Sequence, residues 1–188
     1  MASDKKGASR MAAHLLFVDE SGYMLTGTVC KTWAPRGETP TVRYEYRHDR
    51  LSVISGLSVS SIRERLGLFY QLHESNIRRP EVCLFLRAVL RHLRGEVVVV
   101  WDNGTIHKGD EIRQLLRKHP RLHVEYFPGY APELNPDEWV WRQSKGALAN
   151  SCPHSVHELA QRVMNELGKI KGEQRKLRAC TRQTGLFS

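Results

Sequence analysis

The chain has 188 residues, 40% hydrophobic and 26% charged, which is enough for one domain with a substantial core and too little for two. Lys and Arg total 29 against 20 Asp and Glu, and the net charge of +9 favours a polyanion such as nucleic acid as the partner. No apolar run approaches the roughly 20 residues that a membrane-spanning helix needs, so we expect no membrane partner.

The four cysteines are scattered, with no Cys-x-x-Cys pair. We expect no secretory leader ahead of them, and therefore reduced thiols in a cytosolic protein. Cys152, His154 and His157 resemble half of a zinc site, but the second half is missing at any usual spacing.

The first half of the chain predicts strands. Residues 1–13 are polar, basic and aperiodic, which indicates a loose tail. The run Leu15 to Val18 predicts a strand ending on Asp19, with a turn at Gly22. Further β-prone segments, divided by a Pro- and Gly-rich loop over 34–40, cover 23–33, 41–47, 51–59 and 66–72. Their short connections predict an antiparallel meander.

The middle of the chain alternates helix and strand. Pro80 opens a helix whose apolar residues recur at helical spacing. The four valines Val97 to Val100 predict a strand buried on both faces, with Asp102 at its carboxyl end. A helix over 109–118 and a strand over 124–127 continue the alternation, which is typical of parallel crossover units.

A further helix is predicted to begin at Asn135, a good N-cap, with Pro136 in the first helical position. Glu138 falls three residues after the cap, so it could be the reciprocal arm of a capping box. It could equally be a functional acid, and its sequence position leaves both roles open.

The C-terminal quarter is the most basic part of the chain. A capping box at Ser155 and Glu158 opens a helix whose pattern dissolves beyond Gly168. From Arg142 to Ser188 there are nine Lys or Arg and three Glu, a net charge of +6. This segment is the candidate for lying along phosphates, and the alternative is a solvated basic surface.

Three acids stand at suggestive places: Asp19, Asp102 and Glu138. If the first strand and the valine strand are neighbours, Asp19 and Asp102 lie side by side, and carboxylates so close seldom occur without a cation. Oxygen ligands without cysteine or clustered histidine favour Mg²⁺ or Mn²⁺. Two such ions, about 3.5–4 Å apart, can promote attack on a phosphodiester, which predicts a nuclease or phosphoryl-transfer enzyme acting on nucleic acid.

Four motifs, in this order, resemble the catalytic domain of bacterial insertion-sequence transposases related to the mariner superfamily. They are Phe17-Val18-Asp19-Glu20-Ser21-Gly22, Trp33-Ala34-Pro35-Arg36-Gly37, Trp101-Asp102-Asn103 with His107, and Tyr130 to Glu138 with Trp141. The 35 residues between Asp102 and Glu138 are similar to that family's interval between its second and third acids. The resemblance covers about residues 14–150. It implies an α/β, RNase H-like (retroviral integrase-like) mixed five-stranded sheet flanked by helices.

The resemblance also implies a metal triad of Asp19, Asp102 and Glu138 that holds two Mg²⁺ or Mn²⁺ ions. Asp137 is a rival to Glu138 as the third ligand, because it is an acid at a position where the family usually has an apolar residue. Glu133 is a weaker rival. The match to Asn-Pro-x-Glu favours Glu138.

Asn103 and His107 belong to the matched motif and are expected to support the site. His107 either reaches a phosphate or a metal-bound water, or is a loop residue bonded to backbone. Glu20 follows Asp19 in its strand and should point to the opposite face of the sheet.

The DNA-binding residues are expected in two groups. Arg142 and Lys145 lie four and seven residues after Glu138 on one helix, so we expect them to contact the backbone near the site. More distant phosphate contacts are expected from the C-terminal cluster of Lys169, Lys171, Arg175 and Lys176.

The predicted organisation is a basic tail (1–13), an RNase H-like catalytic domain (14–150) and a basic C-terminal helix and tail (151–188) packed on or extending from it. The family reads its terminal repeats through an N-terminal helix-turn-helix part, which we expect to be separate or missing here. The other expected partners are double-stranded DNA, as element ends and target, and further copies of the chain assembled on it. The expected location is the bacterial cytoplasm, with the nucleoid.

The leading hypothesis is a DDE transposase catalytic domain that cuts DNA at element ends and joins the 3′-hydroxyl to target DNA. One alternative is a metal-dependent nuclease of the same fold that acts on RNA–DNA hybrids or branched DNA. Another is a decayed or repurposed transposase that binds DNA without chemistry.

Overall fold

The computed structural model describes residues 13–26, 29–41, 49–60, 65–129 and 131–185. The strands are β1 (His14–Met24), β2 (Arg50–Ser60), β3 (Leu66–His73), β4 (Val97–Trp101) and β5 (Leu122–Tyr126). The helices are α1 (Arg79–His92), α2 (Asp110–Lys118), α3 (Pro136–Ala147), α4 (Val156–Gly172) and α5 (Gln174–Gln183). Single turns of 3₁₀ helix cover Thr105–His107 and Pro132–Leu134.

One mixed sheet joins the five strands in the order β3-β2-β1-β4-β5. The first three strands are antiparallel, while β4 runs parallel to both β1 and β5. The predicted meander, crossover units and mixed five-stranded sheet are therefore confirmed. Residues 29–33, expected to be β-prone, have no strand structure, and 42–48 lie outside the described residues.

Strand β1 continues past the turn that was predicted at Gly22. Its register with β2 runs from His14 opposite Ser60 to Met24 opposite Arg50. The prediction that this strand ends at Asp19 is therefore wrong, because β2 supplies a partner for the backbone well beyond that residue. The pairing of β1 with β4, in contrast, ends at Phe17 opposite Val100. Asp19 thus lies where β1 has lost its neighbour on one side.

Helices cover both faces of the sheet. One core cluster joins the sheet to α3, α4 and α5, and the other joins it to α1 and α2. Along β4, Val98 and Val100 belong to the first cluster, whereas Val97, Val99 and Trp101 belong to the second. A strand buried on both faces needs no polar alternation, which is why the valine run predicted it correctly.

The C-terminal segment is a packed helix pair. The prediction that helical pattern dissolves beyond Gly168 is wrong, because α4 continues to Gly172 and α5 follows it. Ile170, Leu177 and Cys180 are buried in the same core cluster as α3. These few apolar residues are too sparse for a periodicity argument, but docking on α3 and β3 buries them together.

In the described ranges no helix is long and apolar enough to cross a membrane. All four cysteines are free thiols, two of them buried: Cys83 and Cys180.

The docking of α5 can be tested by Leu177→Ala. The side chain is fully buried, so we expect the variant to lose about 2–5 kcal/mol of unfolding free energy, as for other large-to-small core substitutions. Urea unfolding followed by circular dichroism measures the loss. Arg178→Ala, at the adjacent exposed position, should stay within about 0.5 kcal/mol of wild type. Similar small effects of both changes would mean that α5 contributes little to the core.

Candidate active site

The acids of β1 and β4 lie at one level of the sheet. Phe17 pairs with Val100, and Asp19 and Asp102 each follow two residues later on these parallel neighbours. The carboxyl ends of neighbouring parallel strands are where open α/β sheets collect their ligands. The first turn of α3 brings the third acid, Glu138, towards the same region.

Asp19 faces α3 and is largely buried. Its Oδ2 accepts a hydrogen bond from Trp141 Nε1 at 2.9 Å. Burial raises the pKa of Asp19 to about 7, helped by the charges of Glu20 and Glu138 and opposed by the Trp141 hydrogen bond. Near neutral pH this carboxyl is therefore poorly compensated in its ionised form. A cation beside it would favour that form.

Glu138 is exposed, in the first turn of α3. The helix begins as predicted, since the Asn135 side chain accepts a hydrogen bond from Asp137 N at 3.1 Å. The Asn135 N–H, which a capping-box Glu138 would bind, is donated to Pro132 O at 2.9 Å instead. The carboxylate of Glu138 is thus not engaged as a cap, and its charge acts on Asp19.

Asp137, the rival of Glu138, is completely buried. Its Oδ1 accepts from Ser55 Oγ at 2.6 Å, and its Oδ2 accepts from Leu57 N at 3.4 Å. Burial raises the pKa of Asp137 well above its usual value. Asp137 therefore anchors α3 to β2, at the residue that pairs with Asp19 across the strands.

Asp102 follows the last residue of β4, and its side chain is 66% exposed. Its Oδ1 accepts from Gly104 N at 2.8 Å and lies 2.7 Å from His107 Nδ1. A Cβ at Gly104 would stand 2.8 Å from the same oxygen, so a larger residue there would have to displace the Asp102 carboxylate. Asn103 is exposed in this loop.

The charge of Glu138 thus acts on Asp19, and Asp102 lies at the same level of the sheet with its carboxylate held by His107. Within the described residues, no three His, Cys, Asp or Glu side chains form a group that could hold a metal ion. The convergence of all three acids on one site therefore stays a prediction.

His107 is a buried residue, only 1% exposed. Its ring stacks on Trp101, with 4.4 Å between centroids and 6° between planes. On the other side, its Nε2 lies 3.2 Å from Glu20 Oε1. Such burial excludes the direct contact with a phosphate that the sequence left open. The other role expected from the sequence, a hydrogen bond to the backbone, is present, since His107 Nδ1 also lies 3.2 Å from the carbonyl oxygen of Asp102.

Burial alone would lower the pKa of His107, but the hydrogen bond and charge of Glu20 and the charge of Asp102 outweigh it, and the pKa is raised. An ionised carboxylate can only accept, so each of these two contacts requires an N–H on the ring nitrogen that faces it. Glu20 points away from Asp19, as the alternation of side chains along a strand predicted. No function was predicted for Glu20, and the sequence indicated only the face of the sheet on which it lies.

The basic residues of α3 lie over aromatic rings. The Arg142 guanidinium is 5.0 Å from the centre of the Trp139 ring, and Lys145 Nζ is 5.5 Å from that of Tyr23. Among the ion pairs of the described residues, neither is paired with a carboxylate. Both remain available to an anionic partner.

The C-terminal basic residues fall into two kinds. Lys169 and Lys176 form ion pairs with Glu166 and Glu173, at 2.6 and 2.8 Å. Lys171 lies 5.7 Å from the centre of the Tyr70 ring, and Arg175 is exposed. Ion pairing with a neighbouring Glu lowers the positive potential that a lysine offers, so the four predicted contacts are not equivalent.

The raised pKa of Asp19 predicts how stability depends on pH in the absence of metal. The unfolded chain ionises Asp19 near pH 3.8 and the folded chain near pH 7, so the folded state binds more protons between these values. The contribution of Asp19 to the free energy of unfolding is therefore lost as pH rises towards 7. Asp19→Asn removes the effect, and we expect the variant to gain stability relative to wild type between pH 4 and pH 8. Thermal unfolding at both pH values measures the difference, and an equal difference at both would contradict the burial of this carboxyl.

Comparison with known proteins extends these observations. The family model described as DDE superfamily endonuclease matches residues 14–160. No curated protein was found whose sequence matches this chain. The fold is similar to that of the mariner Mos1 paired-end complex with Mg, with a TM-score of 0.67 and 16% identity over 98% of this chain and 58% of that one.

Two further structures share the fold. The catalytic domain of Mos1 mariner transposase aligns with 99% of this chain and 89% of its own, with a TM-score of 0.54 and 14% identity. A chain of the simian T-cell lymphotropic virus intasome aligns with 82% of this chain and 48% of its own, with a TM-score of 0.51 and 9% identity. The chain spans about three fifths of the length of the Mos1 complexes.

The fold expected from the sequence, an RNase H-like mixed five-stranded sheet flanked by helices, is confirmed by this likeness. The match to the family model begins with β1 and extends into α4, so it includes all the strands and the three predicted acids. The chain belongs to the DDE superfamily endonucleases.

Proposed function

We propose that this chain is a transposase catalytic domain that cuts DNA at element ends and joins the freed 3′-hydroxyl to target DNA. The observation that supports this most is the placement of Asp19, which bonds to Trp141 of α3 and lies at the level of Asp102 on the neighbouring parallel strand, with the charge of Glu138 acting on it. Carboxylates grouped in this way, with Asp19 largely buried, are unfavourable without a cation. In a basic member of an endonuclease family, that arrangement suits a metal-assisted reaction at a phosphodiester.

The residues present fit a divalent metal. Asp19, Asp102 and Glu138 offer only carboxylate oxygens, which Mg²⁺ and Mn²⁺ prefer, and we propose that they hold two such ions. When bound, the ions would activate the attacking water or hydroxyl and stabilise the leaving oxygen. The poorly compensated charge of Asp19 supports this assignment from the protein's side.

Other side chains would position the reacting groups. Trp141 donates to one oxygen of Asp19 and so orients its carboxyl. Asp137 fixes the start of α3 on β2, which sets the place of the neighbouring Glu138. Arg142 and Lys145 follow on the same helix, and we propose that they bind the phosphates on either side of the cut.

We further propose that the domain derives from a bacterial insertion sequence and works with the nucleoid in the cytoplasm. The Mos1 structures include a paired-end complex with a transposon end and a strand transfer complex. They support the proposal that this chain binds double-stranded DNA and that several copies of the chain assemble on it. The specific reading of element ends would come from a helix-turn-helix part, on another chain or on a longer form of this one.

DNA binding without chemistry is the second candidate. It is favoured by one observation, that the carboxylate of Asp102 is bonded to His107 and Gly104 and no metal-binding group is ready-made in the described part of the chain.

Strand transfer separates these functions. The protein is incubated with MgCl₂ or MnCl₂, a labelled duplex oligonucleotide with a free 3′-hydroxyl, and supercoiled plasmid. A transposase domain joins the label to the plasmid. Cutting of RNA–DNA hybrid or branched DNA without joining would indicate a nuclease instead. Binding of duplex DNA with neither reaction would leave the non-catalytic function.

A further inference from the structure

A chain of polar contacts crosses from β1 to the loop after β4. Glu20 Oε1 lies 3.2 Å from His107 Nε2, and His107 Nδ1 lies 2.7 Å from Asp102 Oδ1. Asp102 and His107 belong to one loop, and the parallel pairing of β1 with β4 brings Glu20, 87 residues before His107, beside them. The imidazole is therefore a bridge between two carboxylates.

The central residue of this bridge, His107, is buried, whereas Asp102 at one end of it is exposed to solvent. His107 is 1% exposed and stacked on Trp101, which is itself fully buried. Glu20 is 18% exposed, whereas Asp102 is 66% exposed. Asp102 is thus the member of the bridge best placed to meet a ligand, and His107 can reach a ligand only through it.

We propose that Glu20 is a positioning residue that acts through His107 to hold the carboxylate of Asp102 in place at the sheet edge. This inference rests on the proposed function, in which Asp102 is a metal ligand. Glu20 fixes the ring by accepting from Nε2, and the ring in turn donates from Nδ1 to Asp102. Without Glu20 the ring loses its partner at Nε2 and keeps only the Trp101 stacking and its contacts to Asp102. The Asp102 carboxylate, which Gly104 N still holds, is then less firmly fixed.

Outer hydrogen-bond partners of a metal ligand make a measurable contribution to metal affinity. Loss of an outer hydrogen-bond partner behind a metal ligand typically weakens metal affinity by about 10- to 100-fold. The charge of Glu20 also acts on Asp19, and both Glu20→Ala and Glu20→Gln remove that charge. A difference between the two variants therefore reports the path through His107 and Asp102.

The test compares Glu20→Ala with Glu20→Gln. Both changes remove the negative charge, but only Gln keeps an oxygen that can accept from His107 Nε2. Mn²⁺ binding to the full chain is measured by calorimetry without DNA. We expect Ala to weaken binding by about 10- to 100-fold and Gln to restore most of the loss. Duplex DNA binding without metal should be the same in both.

A second measurement needs no metal. The Nε2 proton of His107, observed by NMR, should be protected from exchange with water in wild type and in Glu20→Gln, and should exchange faster in Glu20→Ala. The matched control is Glu96→Ala. Glu96 Oε2 lies 2.7 Å from His123 Nε2, at the opposite end of β4, and this pair should have no influence on Mn²⁺.

Equal Mn²⁺ affinities in Glu20→Ala and Glu20→Gln would overturn the inference and leave the proposed function standing. Wild-type protein that bound no Mn²⁺ and joined no DNA would overturn both.

Discussion

Asp102→Asn should lower the rate of DNA cutting and joining by more than about a hundredfold, the scale on which a single electrostatic group acts in an active site. Asn keeps the size of the side chain and an oxygen that can accept from His107 and Gly104, so the loop should fold normally. What it loses is the negative charge that we propose binds metal. DNA binding should persist, because it depends on Lys and Arg contacts to phosphate. Single-turnover assays with MgCl₂, with DNA binding measured in parallel, test both parts.

Two neighbouring substitutions serve as controls. Asp137→Asn should stay near wild type, since burial raises the pKa of this carboxyl and so favours its neutral form, and the amide oxygen can still accept from Ser55. Glu138→Gln should be as defective as Asp102→Asn. A fully active Asp102→Asn variant would make that acid structural, and an inactive Asp137→Asn variant beside an active Glu138→Gln would transfer the third ligand to Asp137.

Charge reversal on α3 and in the C-terminal cluster should separate affinity from catalysis. Each phosphate contact that is lost should lower the slope of log affinity against log salt by about 0.9. Lys171→Glu and Arg175→Glu should weaken binding to all duplex sequences alike and leave the rate of the bound complex intact. Lys169 and Lys176 already share their charge with glutamates, so we expect smaller changes from them.

Arg142→Glu and Lys145→Glu should also slow the chemistry, because both residues share α3 with Glu138 and a displaced phosphate loses its alignment. Single-turnover rates at saturating protein, with binding measured over a salt series, distinguish the two effects. Arg87→Glu is the control, exposed on α1 on the other face of the sheet. An unchanged salt slope for Lys171→Glu and Arg175→Glu would mean that the DNA path avoids the end of α4 and the start of α5.

Several features were predictable from the sequence because local physics decides them. The valine run of β4 has no polar alternation, which only a doubly buried strand tolerates. Asn135 and Pro136 carry the capping oxygen and the fixed φ with which a helix begins, and α3 begins there. Membership of the DDE superfamily followed from the order and spacing of the motifs, and the metal triad of Asp19, Asp102 and Glu138 stays a prediction.

Other features depend on partners that are distant in sequence. The course of β1 beyond Gly22 is decided by its pairing with β2, and the burial of α5 is decided by docking on α3 and β3. His107 is a loop residue by sequence, but it is buried because Trp101 offers a ring and Glu20 a carboxylate on the same face. Asp137 and Glu138 are adjacent carboxylates, and the sequence alone cannot rank them. The first turn of α3 directs one towards Ser55 and leaves the other exposed, because consecutive helical residues point about 100° apart and only one of them can face the sheet.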